Sequence, residues 1–119
     1  MIRVKDYHHV AIVVRDLAKC VAFYSDVLGL ETAERPAFNF PGHWFKVGEN
    51  RQLHLMVMNE RRPETMRHFA VEVQDFQKMI EHLTDQKVTI VDGPGKRVDG
   101  SDYLFIKDPE GNLIEVTHH

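Results

Sequence analysis

The feature that most constrains the fold is an internal repeat. The segments 9–16 and 68–75 each begin with a histidine, continue as an alternating apolar strand and end with an aspartate. His9 and His68 are 59 residues apart, and His54 and Glu115, on comparable strand-like segments, are 61 apart. A pattern that recurs at a nearly constant offset predicts a duplicated structural unit.

Each repeat is predicted to contain a strand, a helix and three further strands. The helices begin after Asp16 and Asp75, which suit the N-cap, and Gly29 suits the residue that follows the first helix. The other strands are predicted at Leu30–Ala37, His43–Val47 and Arg51–Asn59, and at Val88–Val91, Tyr103–Lys107 and Leu113–Thr117. Turns are predicted at 40–42, 48–50, 92–95 and 108–112. The fold class is therefore α+β, with one domain over 1–119 made of two βαβββ modules, roughly 1–59 and 66–119.

The composition excludes several classes of function. The net charge is −3 and the basic residues are scattered, which argues against nucleic acid as a partner. No apolar run approaches the roughly 18 residues of a membrane span, and no signal peptide is recognisable. The single cysteine, Cys20, lies on the apolar side of the first helix, so we interpret it as a packing residue. These features predict a cytoplasmic protein that binds a small molecule.

The strand pattern places the candidate chemistry on one face. Side chains alternate along a strand, and one set on each key strand is purely apolar and is expected to face the helices. The opposite set brings one potential metal ligand from each of four strands: His9, His54, His68 and Glu115. A lone strand histidine is more often a surface residue than a ligand, but four related by a repeat favour a metal site. His8 is expected to point away from this face, and His118 and His119 are given no role.

Three imidazoles and one carboxylate suit nickel, cobalt, zinc, manganese or iron better than calcium or magnesium. If the ion is octahedral, two positions stay open for neighbouring oxygens of a substrate. No organic cofactor is predicted.

The residues also carry a family resemblance. His9 with Asp16-Leu17, Leu28-Gly29-Leu30, His68 and the ending Asp108-Pro109-Glu110-Gly111-Asn112-Leu113-Ile114-Glu115 resemble the vicinal oxygen chelate superfamily over essentially the whole chain. The resemblance implies incomplete barrels of the glyoxalase type, paired across a homodimer. It also implies that His9, His54, His68 and Glu115 are the metal ligands.

Two departures from relatives narrow the activity. Glyoxalase I generally has glutamate at the position of His54, and bacterial forms tend to have arginine at the position of Val13, which argues against glutathione as the thiol. Fosfomycin-resistance enzymes have tyrosine where this chain has Phe105, which argues against fosfomycin.

The leading hypothesis is a metal-dependent lyase or isomerase that acts on a substrate held through vicinal oxygens, with Glu115 and His54 as the catalytic residues. Glu72 is a weaker candidate base, and Tyr103 and Phe105 are candidate pocket walls. Trp44 is a candidate cover for the pocket mouth, and Lys96 and Arg97 are a candidate clamp for an anion. An alternative is an extradiol-type iron dioxygenase with His9, His68 and Glu115 as its triad and His54 as acid or base. A third is a metal-free antibiotic-binding resistance protein.

Overall fold

The computed structural model describes residues 1–60 and 65–119 and divides the chain into two compact units, Met1–Glu60 and Arg61–His119. The first unit contains β1 (His9–Val14), α1 (Leu17–Asp26), β2 (Glu31–Ala33), β3 (Gly42–Val47) and β4 (Arg51–Val57). The second contains β5 (His68–Glu72), α2 (Phe76–Asp85), β6 (Ile90–Lys96), β7 (Asp102–Lys107) and β8 (Leu113–His118). This order confirms the predicted α+β class and the two βαβββ modules.

The two units have the same sheet topology. The strand orders are β1-β4-β3-β2 and β5-β8-β7-β6, and in each sheet the first pair is parallel while the others are antiparallel. The register repeats as well, because Ala11 pairs with His54 in the first unit and Ala70 pairs with Glu115 in the second. The offset read from the sequence is therefore an offset between equivalent positions of two sheets.

Both helices begin at the predicted caps. The Asp16 carboxylate accepts a hydrogen bond from the Lys19 amide at 3.1 Å, and Asp75 accepts one from Lys78 at 3.0 Å. These bonds satisfy amides that lack a partner in the first helical turn. After α1, Gly29 adopts a positive φ of 66° and the Leu30 amide donates to the Tyr24 carbonyl, which turns the chain towards β2.

The apolar strand faces form the core of each unit. In the first unit the buried side chains include Val14, Cys20, Tyr24, Phe45, Leu53 and Leu55, and in the second they include Leu83, Leu104, Ile106, Ile114 and Val116. The packing role predicted for Cys20 is consistent with its complete burial. Val10 departs from the predicted pattern, since it is exposed near the start of the edge strand β1. No described helix is long and apolar enough to cross a membrane.

Two predicted segments were wrong. Strand β2 ends at Ala33 rather than Ala37, since its pairing with β3 stops at Ala33 and Trp44. Residues 92–95 do not form a turn but lie inside β6, where the pairing with β7 shifts register on both sides of Asp92. Strand β6 is an edge strand, and edges and bulges are the places where a sheet accepts proline and glycine. The turn falls later, where the Arg97 amide donates to the Ser101 carbonyl.

The motif at 108–112 forms the turn before β8. The buried Asp108 carboxylate accepts hydrogen bonds from the Glu110 and Asn112 amides, both at 2.9 Å, and from the Asn112 side chain at 2.8 Å. Gly111 supplies the positive φ of 89° that the turn requires. This turn fixes where β8 begins and therefore the register that presents Glu115.

Candidate metal-binding residues

In the first unit His9 and His54 are neighbours on adjacent strands. Because Ala11 is the register partner of His54, His9 lies diagonally across from it on the same face. The two imidazole rings stack with their centroids 4.0 Å apart. Trp44, the partner of His54 on β3, covers the other side of the His54 ring at 3.8 Å and is nearly parallel to it. The His54 imidazole is thus held between two rings, and only its edge is available for chemistry.

The His54 edge is oriented by a neighbour on its own strand. Its Nε2 donates to Gln52 Oε1 at 2.8 Å, which leaves the lone pair on Nδ1. Burial, followed by the nearby His9, His8 and Arg35, lowers the pKa of His54 to about 4. A neutral imidazole with a free lone pair can either bind a metal ion or accept a proton.

His8 does not point away from this face as predicted. Its Nδ1 lies 2.9 Å from Nδ1 of His9, so one ring donates to the other. His8 precedes β1, and the strand alternation on which the expectation rested does not apply to it. The contact occupies one nitrogen of His9 and leaves Nε2 as its nitrogen for a ligand.

In the second unit His68 and Glu115 are diagonal neighbours on adjacent strands, as His9 and His54 are in the first. His68 Nε2 lies 3.1 Å from Glu115 Oε1. The Nδ1 of His68 is 2.8 Å from the Met66 carbonyl, which can only accept, so Nδ1 carries a proton. A neutral His68 would therefore direct a lone pair at a carboxylate oxygen. The contact requires a cation between the two groups, either a proton or a metal ion, and a histidine held through Nδ1–H to a carbonyl has the orientation common among metal ligands.

The other oxygen of Glu115 is bound by Arg97. The Arg97 guanidinium donates to Glu115 Oε2 at 2.7 Å and lies over the Tyr103 ring at 4.4 Å. The hydrogen bond to Glu115 is the main cause that raises the pKa of Arg97. The sequence left open whether Arg97 clamps an anionic substrate or lies in a solvated loop, and its observed partner is Glu115 of the candidate site.

The aromatic residues around the two pairs also repeat. Phe105 is the register partner of Glu115, as Trp44 is of His54, and the Phe105 ring meets the His68 ring edge-on at 4.9 Å. Tyr103 and Phe105 line a cavity of about 760 Å³ that also includes His68. The prediction that both line a pocket is consistent with this placement.

The remaining sequence candidates lie apart from these pairs. Glu72 is exposed, and its carboxylate accepts a hydrogen bond from the His119 amide at 2.9 Å. That bond and the His119 side chain lower the pKa of Glu72, which makes it a poor base. His118 Nδ1 lies 2.8 Å from the Val73 carbonyl oxygen.

Each unit by itself brings together two of the four candidate ligands. Within residues 1–60 and 65–119 no set of three or more His, Cys, Asp or Glu side chains is grouped as a metal site.

Sequence reasoning missed the residues that orient the ligands. Gln52 precedes His54 by two positions, a same-face spacing on a strand that was available as a signal. The Arg97–Glu115 pair had no such signal, because it depends on how the 97–101 turn folds back over β8. Arg35, whose guanidinium lies 5.0 Å from the Phe38 ring centre and 5.1 Å from that of Phe40, was also missed.

The chain is similar to several known proteins over almost its whole length. A family model described as the Glyoxalase/Bleomycin resistance protein/Dioxygenase superfamily matches residues 6–116. A metallothiol transferase FosB from Staphylococcus saprophyticus is 26% identical in an alignment of length 118 that covers 95% of this chain and 76% of that protein. The protein YaeR from Escherichia coli is 30% identical in a gapped alignment of length 129 that covers 98% of each chain.

Solved structures share the fold. A putative glyoxalase family protein from Bacillus anthracis matches all of this chain and 98% of its own with a TM-score of 0.88 and 25% identity. A lactoylglutathione lyase from Agrobacterium tumefaciens covers 98% of this chain, and 95% of its own, with a TM-score of 0.77 and 21% identity.

Proposed function

Because the chain belongs to the Glyoxalase/Bleomycin resistance protein/Dioxygenase superfamily, we propose that it is a metal-dependent lyase or isomerase acting on a small substrate held through two neighbouring oxygens. The ligands proposed for one divalent ion are His9, His54, His68 and Glu115. The observation that carries the proposal is the equivalence of the two pairs: each unit places two of these side chains on the same diagonal of the same sheet face.

The donor chemistry of the residues fits a divalent metal ion. His68 presents Nε2 to a carboxylate oxygen with its Nδ1 proton held elsewhere, and His54 is neutral with a free Nδ1. Three nitrogens and one oxygen suit nickel, cobalt, zinc, manganese or iron. When bound, such an ion would polarise a substrate carbonyl and stabilise negative charge on its oxygens.

The chain's own residues would supply orientation and proton transfer. Arg97 holds Oε2 of Glu115, so Oε1 is the oxygen that this carboxylate would offer to a divalent ion. His54 is the proposed proton acceptor if it leaves the ligand set, because its Nε2 donates to Gln52 and its Nδ1 keeps a free lone pair. Glu115 is the other candidate, and it would have to release His68 to act.

The free Nδ1 of His54 beside the His9 ring also supports a second candidate function. An iron-dependent extradiol-type dioxygenase would use His9, His68 and Glu115 as ligands and His54 as acid or base. A metal-free binding module is the third possibility, and the two ligand pairs argue against it. A homodimer in the cytoplasm that shares its sites between subunits belongs to the same proposal.

The experiment is an activity screen of the purified protein loaded in turn with nickel, cobalt, zinc, manganese and iron. Methylglyoxal hemithioacetals of several thiols test the lyase or isomerase reaction, and catechols with oxygen test the dioxygenase. Turnover of a hemithioacetal that is lost in the His54→Gln variant would support the leading proposal. Ring cleavage of a catechol with iron alone would overturn it in favour of the dioxygenase.

A further inference from the structure

Asp92 is a carboxylate on the same sheet face as Glu115 that the proposed function does not use. It is the register partner of Phe105 on β7, and Phe105 is the partner of Glu115 on β8. The three residues form one row across the sheet, with Phe105 between the two carboxylates. Neighbouring strands are spaced by about 4.8 Å, so the backbones at Asp92 and Glu115 are roughly 10 Å apart.

Asp92 borders both cavities described on this face. The cavity of about 760 Å³ also includes His68, Tyr103 and Phe105. A second, of about 480 Å³, also includes Val91, Phe105 and Lys107. The register shifts on both sides of Asp92 make it a bulged position, and bulges re-aim a side chain. A molecule bound at His68 and Glu115 that extends over Phe105 would therefore meet Asp92.

The Asp92 carboxylate has no hydrogen-bond or ion-pair partner among residues 1–60 and 65–119. No ion pair joins it to Lys107, which borders the same smaller cavity. Every other ionic group lining the larger cavity is engaged: Lys96 pairs with Asp102 at 2.7 Å, Arg97 pairs with Glu115, and Asp99 accepts from Ser101 at 2.6 Å. Of the two carboxylates that line the larger cavity, Asp99 is held by Ser101, whereas Asp92, which is exposed, has no partner among residues 1–60 and 65–119.

We propose that Asp92 binds a protonated amine at the far end of the substrate and so selects for substrates that carry one. This proposal rests on the proposed function in one respect, the position of the substrate's oxygen-bearing end at His68 and Glu115. Asp92 and Glu115 lie two strand spacings apart. This separation sets the approximate length of substrate between its oxygens and its ammonium group. The Phe105 ring lies beside this path, between Asp92 and Glu115 in the row.

Three catechols that differ only at the end of a two-carbon tail test the proposal. Dopamine carries an ammonium group, hydroxytyrosol a neutral hydroxyl and dihydrocaffeate a carboxylate, and all three share the same pair of vicinal oxygens. Their affinities for the zinc-loaded protein would be measured by isothermal titration calorimetry. We expect dopamine to bind about fivefold more tightly than hydroxytyrosol, and dihydrocaffeate to bind most weakly. Asp92→Asn should abolish the preference for dopamine while leaving hydroxytyrosol binding unchanged.

The matched control is Asp99→Asn, which removes one negative charge from the same cavity lining and keeps an oxygen to accept from Ser101. An equal loss of preference in both variants would show a diffuse charge effect and overturn the proposal. So would a preference that survives in Asp92→Asn, or dopamine that binds no more tightly than hydroxytyrosol to the parent protein. The same titrations with a chelator present test the metal site separately. Affinities of all three catechols that the chelator does not change would contradict metal binding. The ratio of the dopamine and hydroxytyrosol affinities reports on Asp92 alone.

Discussion

Glu115 has both carboxylate oxygens engaged, Oε1 with His68 and Oε2 with Arg97, and it is almost fully buried. Residues that orient a metal ligand typically affect metal affinity by about 10- to 100-fold. We therefore expect Arg97→Ala to weaken metal binding by about tenfold or more and Arg97→Lys to weaken it less, measured by competition with a chromophoric chelator. Arg51→Ala, which removes the exposed ion pair with Asp6, is the control and should leave metal affinity unchanged. An Arg97→Ala protein that binds metal like the parent would show that the ion pair forms only without metal.

The lowered pKa of His54 has a consequence for stability. The unfolded imidazole takes up a proton near 6.5, but the folded one does so only near 4, so acid favours the unfolded chain in this window. The free energy of unfolding of the metal-free protein should fall by about 1–2 kcal/mol from this group between about pH 7 and about pH 5. In the His54→Gln variant this contribution is absent, so its free energy of unfolding, measured by urea denaturation, should fall by about 1–2 kcal/mol less over the same pH range. Identical pH dependence in the His54→Gln and parent proteins would contradict the assigned pKa.

Among the elements, β6 contains a glycine that combines a positive φ with a close approach to the neighbouring strand. Gly93 has a φ of 82°, and a Cβ there would lie 2.9 Å from the Tyr103 carbonyl oxygen on β7. Gly100 has a similar φ of 87° but open space around its Cβ position, which makes it a matched control. We expect Gly100→Ala to cost about 1 kcal/mol from backbone strain, and Gly93→Ala to cost about 2–4 kcal/mol because the strand must also shift. Equal losses in chemical denaturation would mean that the close approach to β7 does not matter.

The same elements show what the sequence can and cannot predict. The helices were predictable because Asp16 and Asp75 cap them by local hydrogen bonds. The pairing of His68 with Glu115 followed from strand alternation and the repeat. The path of β6 was not predictable, since Gly93 and Pro94 have the local preferences of a turn, and only their edge position next to β7 makes them part of a strand. The partner of Arg97 depends on a long-range contact, for which no residue spacing gives a signal.

On the scale of the whole molecule, the proposal of sites shared between subunits can be tested by mixing inactive proteins. His9→Ala inactivates the first unit's pair and Glu115→Ala the second's. If each site combines the first unit of one chain with the second unit of its partner, a mixed dimer regains one of two sites. After full subunit exchange of equal amounts, about a quarter of the parent activity is expected. Sites confined to one chain would give no recovery, and exchange would be verified by native mass spectrometry of an isotopically labelled partner.

Metal affinity tests most directly whether His9, His54, His68 and Glu115 together hold one divalent ion. Metal would be titrated into the parent protein and into His9→Ala, His68→Ala and Glu115→Ala, with His119→Ala as the control and inductively coupled plasma mass spectrometry as the readout. The account predicts one ion per chain in the parent and in the control, and a loss of about a hundredfold or more in affinity in each of the three variants. Unchanged metal content and affinity in all three variants would contradict it.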